Sequence, residues 1–305
     1  MLKRLWLGII GVAPTQWMRG VAAALAALLV SGCSMVGLGY NRLPDLGLWW
    51  LNRQLTLTEA QTAQARADMT ALLAWHRRTQ LPLAADLLRR WQTLARGDLS
   101  ADQVCGELAR LRGMLDTLTQ EATPALTRLA LGTTPEQLLE LQHNQRKSNE
   151  EFRETHLASD PQAGLNKRLG TLKDRYRQLY GPLNDTQTGL LQEGLRVSHF
   201  QPERTQTERE RRQTELVVLL RTLQRTPPDA PDARQQTQAQ ESVHAWLAGL
   251  ATSPRPEHAA YAQQMTREGC QQFAALHQTA TDPQKAHAVQ VLRGYEQDLR
   301  ALAQR

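Results

Sequence analysis

Sheet-forming residues are what this sequence has least of. Aromatic residues make up 5% of its 305 residues. β-Branched residues are sparse outside threonine, and no run alternates polar and apolar over a strand's length, which excludes a β-sheet core. Motifs that carry chemistry are missing as well. None of the eight histidines sits in an H-E-x-x-H pattern, and no cysteine or carboxylate completes a ligand set at the usual spacing, so no metal is expected. Without a G-x-S-x-G elbow, a phosphate loop or a dinucleotide fingerprint, no catalytic residues and no bound cofactor are expected either. Many glutamates fall on helical stretches, but nothing marks one of them as the desolvated acid of a cell-wall lytic enzyme. Basic residues nowhere cluster free of acids, which argues against nucleic acid. Beyond residue 34 no apolar run approaches the roughly 18 residues that a membrane span requires.

One apolar run stands out near the start. Arg19 precedes ten uncharged, mostly aliphatic residues, Val21–Val30, which lead into Val30-Ser31-Gly32-Cys33. Ten helical residues reach about 15 Å, half of a bilayer core of about 30 Å, which is too short to cross it and the right size for a signal-peptide core. Small residues before the cysteine resemble the lipobox of bacterial lipoproteins. That resemblance implies a diacylglycerol on the Cys33 thiol, cleavage of residues 1–32 and N-acylation (palmitate or a similar chain) of the new amino terminus. The alternative for Cys33 is an ordinary buried thiol. Residues 1–18 hold a second cationic and apolar run broken by Pro14, so either translation starts at Met18 or the leader is unusually long. Ser34, where an aspartate would retain the protein in the inner membrane of enteric bacteria, implies the inner leaflet of the outer membrane, facing the periplasm.

Removing residues 1–32 leaves 273 residues, enough for real cores. Three basic residues and no acid precede Cys33, so the remainder carries 33 basic against 30 acidic residues. The other two cysteines, Cys105 and Cys270, are free to pair in an oxidising compartment, or to remain two buried thiols. Residues 33–44 read as a Gly-rich tether, 45–226 as the main helical domain, 227–234 as a Pro-rich linker, and 235–305 as a three-helix segment packed on the main domain. Trp49 and Trp50 support two readings, an interfacial anchor beside the lipidated terminus or a plug for the end of a bundle. The plug is the preferred one.

Helix starts recur. Thr58 to Gln61, Ser100 to Gln103, Thr134 to Gln137 and Asn184 to Gln187 each place a capping oxygen three residues before a glutamine, and Thr205 to Glu208 repeats the pattern with glutamate. Such capping boxes satisfy orphan donors at a helix start. Ser253-Pro254 and Asp282-Pro283 predict two more starts. Between them the apolar period is helical: Val104, Leu108, Leu111, Leu115, Leu118, Ala122, Leu126 and Leu129 form a seam predicted to pack against a neighbouring helix. A second stripe from Met69 through His76 to Leu94 is interrupted by Pro82, so 59–96 is one kinked helix or two. The polar stretch 138–156 and the mixed charges of 203–212 are predicted to face solvent. The expected fold is all-α, a multi-helix antiparallel bundle of about eight to ten helices, several kinked by proline. The most unusual local cluster is Trp75-His76-Arg77, a candidate polar site; the preferred reading makes His76 a core residue bonded to a carbonyl freed by Pro82.

Tyr40-Asn41-Arg42-Leu43, Leu57-Thr58-x-x-Gln61, Trp75-His76-Arg77 with Leu81-Pro82, Tyr180-Gly181-Pro182-Leu183 and Leu292-Arg293-Gly294-Tyr295 resemble an uncharacterised family of proteobacterial envelope lipoproteins carrying an all-helical domain of unknown function. Arg53-Gln54 stand where that family has acidic residues. Leu57-Thr58-Glu59-Ala60-Gln61, with Leu99-Ser100-Ala101-Asp102-Gln103 close to it, is similar to the repeated motif of Spy-like periplasmic chaperones. The implied function is a lipid-anchored interaction or scaffold module with an envelope protein partner. A holdase chaperone is the alternative, and a cell-wall enzyme the remotest reading.

Overall fold

The computed structural model describes residues 35–157, 160–224 and 233–305. Among them are eleven helices and no strand, so the fold is all-α. The chain divides into two units, Met1–Arg42 and Leu43–Arg305. In the first, Met35–Asn41, within the stretch read as a Gly-rich tether, forms a short helix, α1. Cys33, the leader and most of the Pro-rich linker lie outside the described residues.

The second unit holds ten helices. They are α2 (Leu43–Leu55), α3 (Glu59–Leu94), α4 (Ala101–Leu131), α5 (Pro135–His156), α6 (Pro161–Tyr180), α7 (Asp185–Arg196), α8 (Pro202–Leu223), α9 (Ala233–Ala251), α10 (Pro256–Gln278) and α11 (Asp282–Ala303). Pro82 lies inside α3 without ending it, so 59–94 is one helix of about 54 Å. It runs antiparallel to α4, held near one end by Arg90 with Glu107 at 2.7 Å and near the other by Arg128 with Asp68 at 2.5 Å. Along its C-terminal half α3 packs on α11, where Gln92 donates to Glu296 at 2.6 Å and Arg300 pairs with Asp86 at 2.9 Å.

All four glutamine capping boxes form. The remaining predicted starts shift. α8 begins at Pro202 with Gln201 before it and no side-chain cap, so Thr205 and Glu208 are interior residues: Pro202 supplies a pre-set φ at a position needing no N–H donor. α10 starts at Pro256, two residues past the expected Pro254, for the same reason. α11 is capped by Thr281, whose box with Gln284 precedes the expected Asp282 by one residue.

The capping glutamines then do something local pattern could not show: they pair across helices. Gln61 Nε2 donates to Gln137 Oε1 (3.1 Å) and to the Gly132 carbonyl (2.7 Å), while Gln137 Nε2 donates to Gln61 Oε1 (2.6 Å) and to the Thr56 carbonyl (3.2 Å). Gln187 and Gln284 repeat this: Gln187 donates to Gln284 (2.7 Å) and the Thr279 carbonyl (3.1 Å), and Gln284 to Gln187 (3.0 Å) and the Pro182 carbonyl (2.7 Å). In all four cases the carbonyl belongs to the residue two before the partner helix's cap. Each pair joins two helix N-termini beside a hydrophobic cluster. The first cluster includes Leu55, Leu138, Leu141, Val217, Leu220 and Val243. The second includes Tyr176, Tyr180, Leu191, Leu276 and Ala288, with Ala95, Val289 and Leu292 packed in a third.

Three burial expectations fail. On α4, Leu108, Leu111 and Leu115 are exposed, because α3, α9 and α10 pack on other parts of the helix and leave this arc uncovered. On α5, Gln137, Leu138, Leu141 and Asn149 are buried although the stretch is polar, since it lies against α8 and α2. On α2 the side that plugs the core is Leu48 and Leu55; Trp49 and Trp50 are more than half exposed, which removes the plug reading for the tryptophans.

Candidate functional site

α8 is the floor of a large open groove. Its start has no side-chain cap, and Tyr261 of α10 serves instead, its hydroxyl accepting from the Gln201 N–H at 2.8 Å. Steps of three and four residues then present Thr205, Glu208, Arg209, Arg212 and Leu216 along one stripe. α5 contributes a facing stripe that includes Leu141, Gln145, Ser148 and Phe152. α9 supplies Trp246, α10 supplies His258 and Tyr261, α2 supplies Trp50 at the rim, and Phe200 closes one end. The groove so bounded holds about 840 Å³.

Its electrostatics centre on Glu208, 4% exposed, in the mixed-charge run predicted to face solvent. Burying a carboxylate costs several kcal/mol unless it is paired and hydrogen-bonded, and Glu208 is both. Arg211 grips it twice, Nε to Oε2 at 2.8 Å and a terminal nitrogen to Oε1 at 2.7 Å. Arg212 Nε donates to Oε1 at 3.0 Å, and His258 Nδ1 lies 4.0 Å from Oε2. The Arg211 hydrogen bonds are the largest influence, with Ser253 and Arg212 adding theirs, and they outweigh desolvation; the carboxyl is held down at about 2. Burial conversely lowers the His258 imidazole. Arg211 also pairs with Glu215, which leaves Arg212 and Arg209 nearer the groove.

Arg209 is fixed by a second network. Its Nε donates to Asn149 Oδ1 at 2.8 Å and a terminal nitrogen to Ser148 Oγ at 2.5 Å, while its guanidinium sits 5.8 Å from the Phe152 ring centroid. Buried Asn149 donates in turn to Gln213 at 2.7 Å. Trp246 Nε1 donates to the Arg212 carbonyl at 3.3 Å, fixing its indole against α8. Flat aromatic surfaces beside pre-positioned guanidinium groups suit apolar or aromatic side chains with a carboxylate nearby. Among the described residues Glu208 is the one buried acid, and it is held ionised, the wrong state for a general acid.

The residues expected from the sequence lie elsewhere. Trp75 and His76 are half-buried neighbours on α3, ring centroids 6.5 Å apart; burial lowers the imidazole. None of Trp75, His76 and Arg77 lines the groove. Cys105 and Cys270 are joined in a disulfide, Cα atoms 5.6 Å apart, tying α4 to α10. Among the described residues no group of three potential ligands is placed to hold a metal, and no helix is long and apolar enough to cross a membrane. Sequence reasoning missed the groove, although one signal was present. Continuing the apolar stripe Val217, Leu220, Leu223 backwards by threes and fours passes through Gln213 and Gln206, and so turns the charged half of α8 inward.

Residues 53–228 match the family of unknown function DUF6279. The match covers more than half of the chain, which therefore belongs to that family. It takes in α3 to α8, and with them Glu208, Arg209 and Arg212, but not Trp50, Trp246, His258 or Tyr261. No curated protein and no solved structure matches the chain.

Proposed function

We propose that this protein is a lipid-anchored envelope module, held through acylated Cys33 at the periplasmic face of the outer membrane, that binds a segment of an envelope protein in the groove over α8. The observation that carries the reading is the groove itself: an open channel whose aromatic rings and guanidinium groups are already fixed by the fold, as a binding site requires. The occupant is an extended or helical segment carrying apolar and acidic side chains, matched to Trp246, Phe152, Arg209 and Arg212. Glu208, held ionised at about 2, lacks the raised pKa of a lytic acid, which weighs against the cell-wall enzyme.

The holdase alternative keeps one observation of its own. Leu108, Leu111 and Leu115 present an apolar stripe on α4, such as unfolded clients would contact. A photocrosslinking residue in place of Leu250, read by mass spectrometry in the native envelope, separates the two. One or two dominant adducts, lost on Arg212→Glu and depleted in a Cys33→Ala strain, support the anchored module. A broad spread of unrelated clients unaffected by Cys33→Ala favours the holdase. No adduct above background refutes a groove-bound partner.

A further inference from the structure

α2 is the first helix of the larger unit, and it is apolar on two opposite sides. At about 100° per residue, Leu48 and Leu55 share one direction, and both are buried. Leu43, Leu46, Trp49 and Trp50 occupy an arc of about 120° on the other side. They are 46%, 55%, 58% and 56% exposed, and Trp50 also reaches the groove's rim. A single exposed leucine needs no explanation, but four large apolar side chains on one helical arc do. The charges on this helix are equally one-sided. Its sole acid, Asp45, is neutralised by Arg66 at 2.8 Å. Its sole cation, Arg53, enters no ion pair among the described residues and lies over the Trp49 ring, 5.0 Å from the centroid.

We infer that this face of α2 docks on a lipid surface: the indoles of Trp49 and Trp50 sit at headgroup depth, Leu43 and Leu46 dip toward the acyl chains, and Arg53 meets an anionic headgroup. Tryptophan is the residue that membrane–water interfaces favour, and a cation stacked on its ring supplies the polar end of the pair. The inference rests on the anchored reading for its occupant. Ten Cα-to-Cα steps lead from Cys33 to Leu43, so even a fully extended chain holds the start of the face within about 35 Å of the acylated residue. A bilayer is the one partner that such a leash guarantees. Docking there also turns a loosely tethered protein into an oriented one, with Trp50 linking the membrane face to the groove.

The test uses the protein extracted from its own envelope and reconstituted into phosphatidylethanolamine–phosphatidylglycerol vesicles with brominated acyl chains, which quench tryptophan on contact. Two of the five tryptophans after Cys33 lie on the face. Wild-type emission is expected to fall relative to unbrominated vesicles, and Trp49→Phe/Trp50→Phe to abolish that loss with an unchanged far-ultraviolet circular dichroism spectrum. Equal fractional quenching in both forms overturns the inference. So does acrylamide protection of Trp49 without lipid quenching, which would assign the face to a protein or a second copy. The mass of the N-terminal peptide reads the anchor separately: an acylated Cys33 without Trp49- and Trp50-dependent quenching removes only the docking face, and the converse result removes only the anchor.

Discussion

The two glutamine junctions share one hydrogen-bond design and differ in their surroundings. At the Gln187–Gln284 junction the design is sealed. Gln187 and His277 are fully buried and Tyr180 nearly so. His277 Nε2 faces the Gly97 carbonyl at 2.8 Å and Nδ1 faces the Tyr180 hydroxyl at 2.8 Å. A carbonyl only accepts, so Nε2 carries the proton and Nδ1 accepts from tyrosine, which fits a neutral ring. The turn into α7 is made by Gly181 at φ 77°, where glycine carries no steric cost. At the Gln61–Gln137 junction one glutamine is likewise buried and one half-buried, but the equivalent turn before α3 uses Thr56 at φ 47°, a strained position for a β-branched residue. α2, which ends at this junction, carries the exposed apolar face, and α5, which starts there, forms one wall of the groove. One junction is built for rigidity, and the other tolerates strain beside the proposed binding surface.

The largest expected effect concerns the link between them. The disulfide closes a loop of 165 residues and pins α10, which ends at the sealed junction and begins at the groove. Cys105→Ser/Cys270→Ser should lose about 5 kcal/mol by the chain-entropy model, read as a fall in denaturation midpoint that wild type shows only under reductant. Equal midpoints with and without reductant would remove the bridge from the account.

Next comes the comparison itself. Gln187→Ala empties a fully buried site, removes its bonds to the Thr279 carbonyl and Gln284 and should cost about 3 kcal/mol, whereas Gln61→Ala, at a half-buried position where water reaches the vacated carbonyl, should cost about 1 kcal/mol. Equal costs would mean that burial does not distinguish the junctions.

Acid should act on the two regions in different windows. His277 is lowered mainly by burial, so its stabilisation is complete above the unfolded value near 6.5 and declines as pH falls below it. Glu208, depressed to about 2, contributes fully above the unfolded value near 4.5 and loses its share, on the order of 2 kcal/mol, as pH falls from there toward 2. A His277→Gln variant should shrink the first phase, which His76 and His258 share, and leave the second in place, whereas Glu208→Gln should act mainly on the second, in stability measured against pH. A single shared phase would break the assignment.

The smallest effect is relief of strain. Thr56→Gly should gain about 0.5 kcal/mol, since the relieved φ exceeds the added chain entropy. A loss of stability instead would show the turn to be relaxed.

Helix existence and most helix ends were legible because capping is local: Thr58, Ser100, Thr134 and Asn184 sit three residues from the groups they satisfy. Ends set by proline were legible only to within one to four residues, since Pro202, Pro256 and Pro283 mark a first turn without naming its cap. The groove was not legible. Glu208 with Arg211 and Arg212 reads locally as a solvated charge run, and only α5, α9 and α10 folding over it make it a buried network. Nor were the α4 leucines: a perfect 3–4 seam shows which residues share a face but not whether a partner covers it.

By itself, then, the sequence determined an all-helical chain with its capped starts, a candidate lipid-anchored terminus, and two cysteines free to pair. Tertiary structure alone decided that Cys105 meets Cys270, that Gln61 finds Gln137 and Gln187 finds Gln284, and that Gln103, with an identical box, finds no such partner among the described residues. The physical reason is range. Capping and helical periodicity are satisfied within four residues of sequence, whereas burial, pairing and a groove depend on which distant helices pack together, and each glutamine's second hydrogen bond is formed only there.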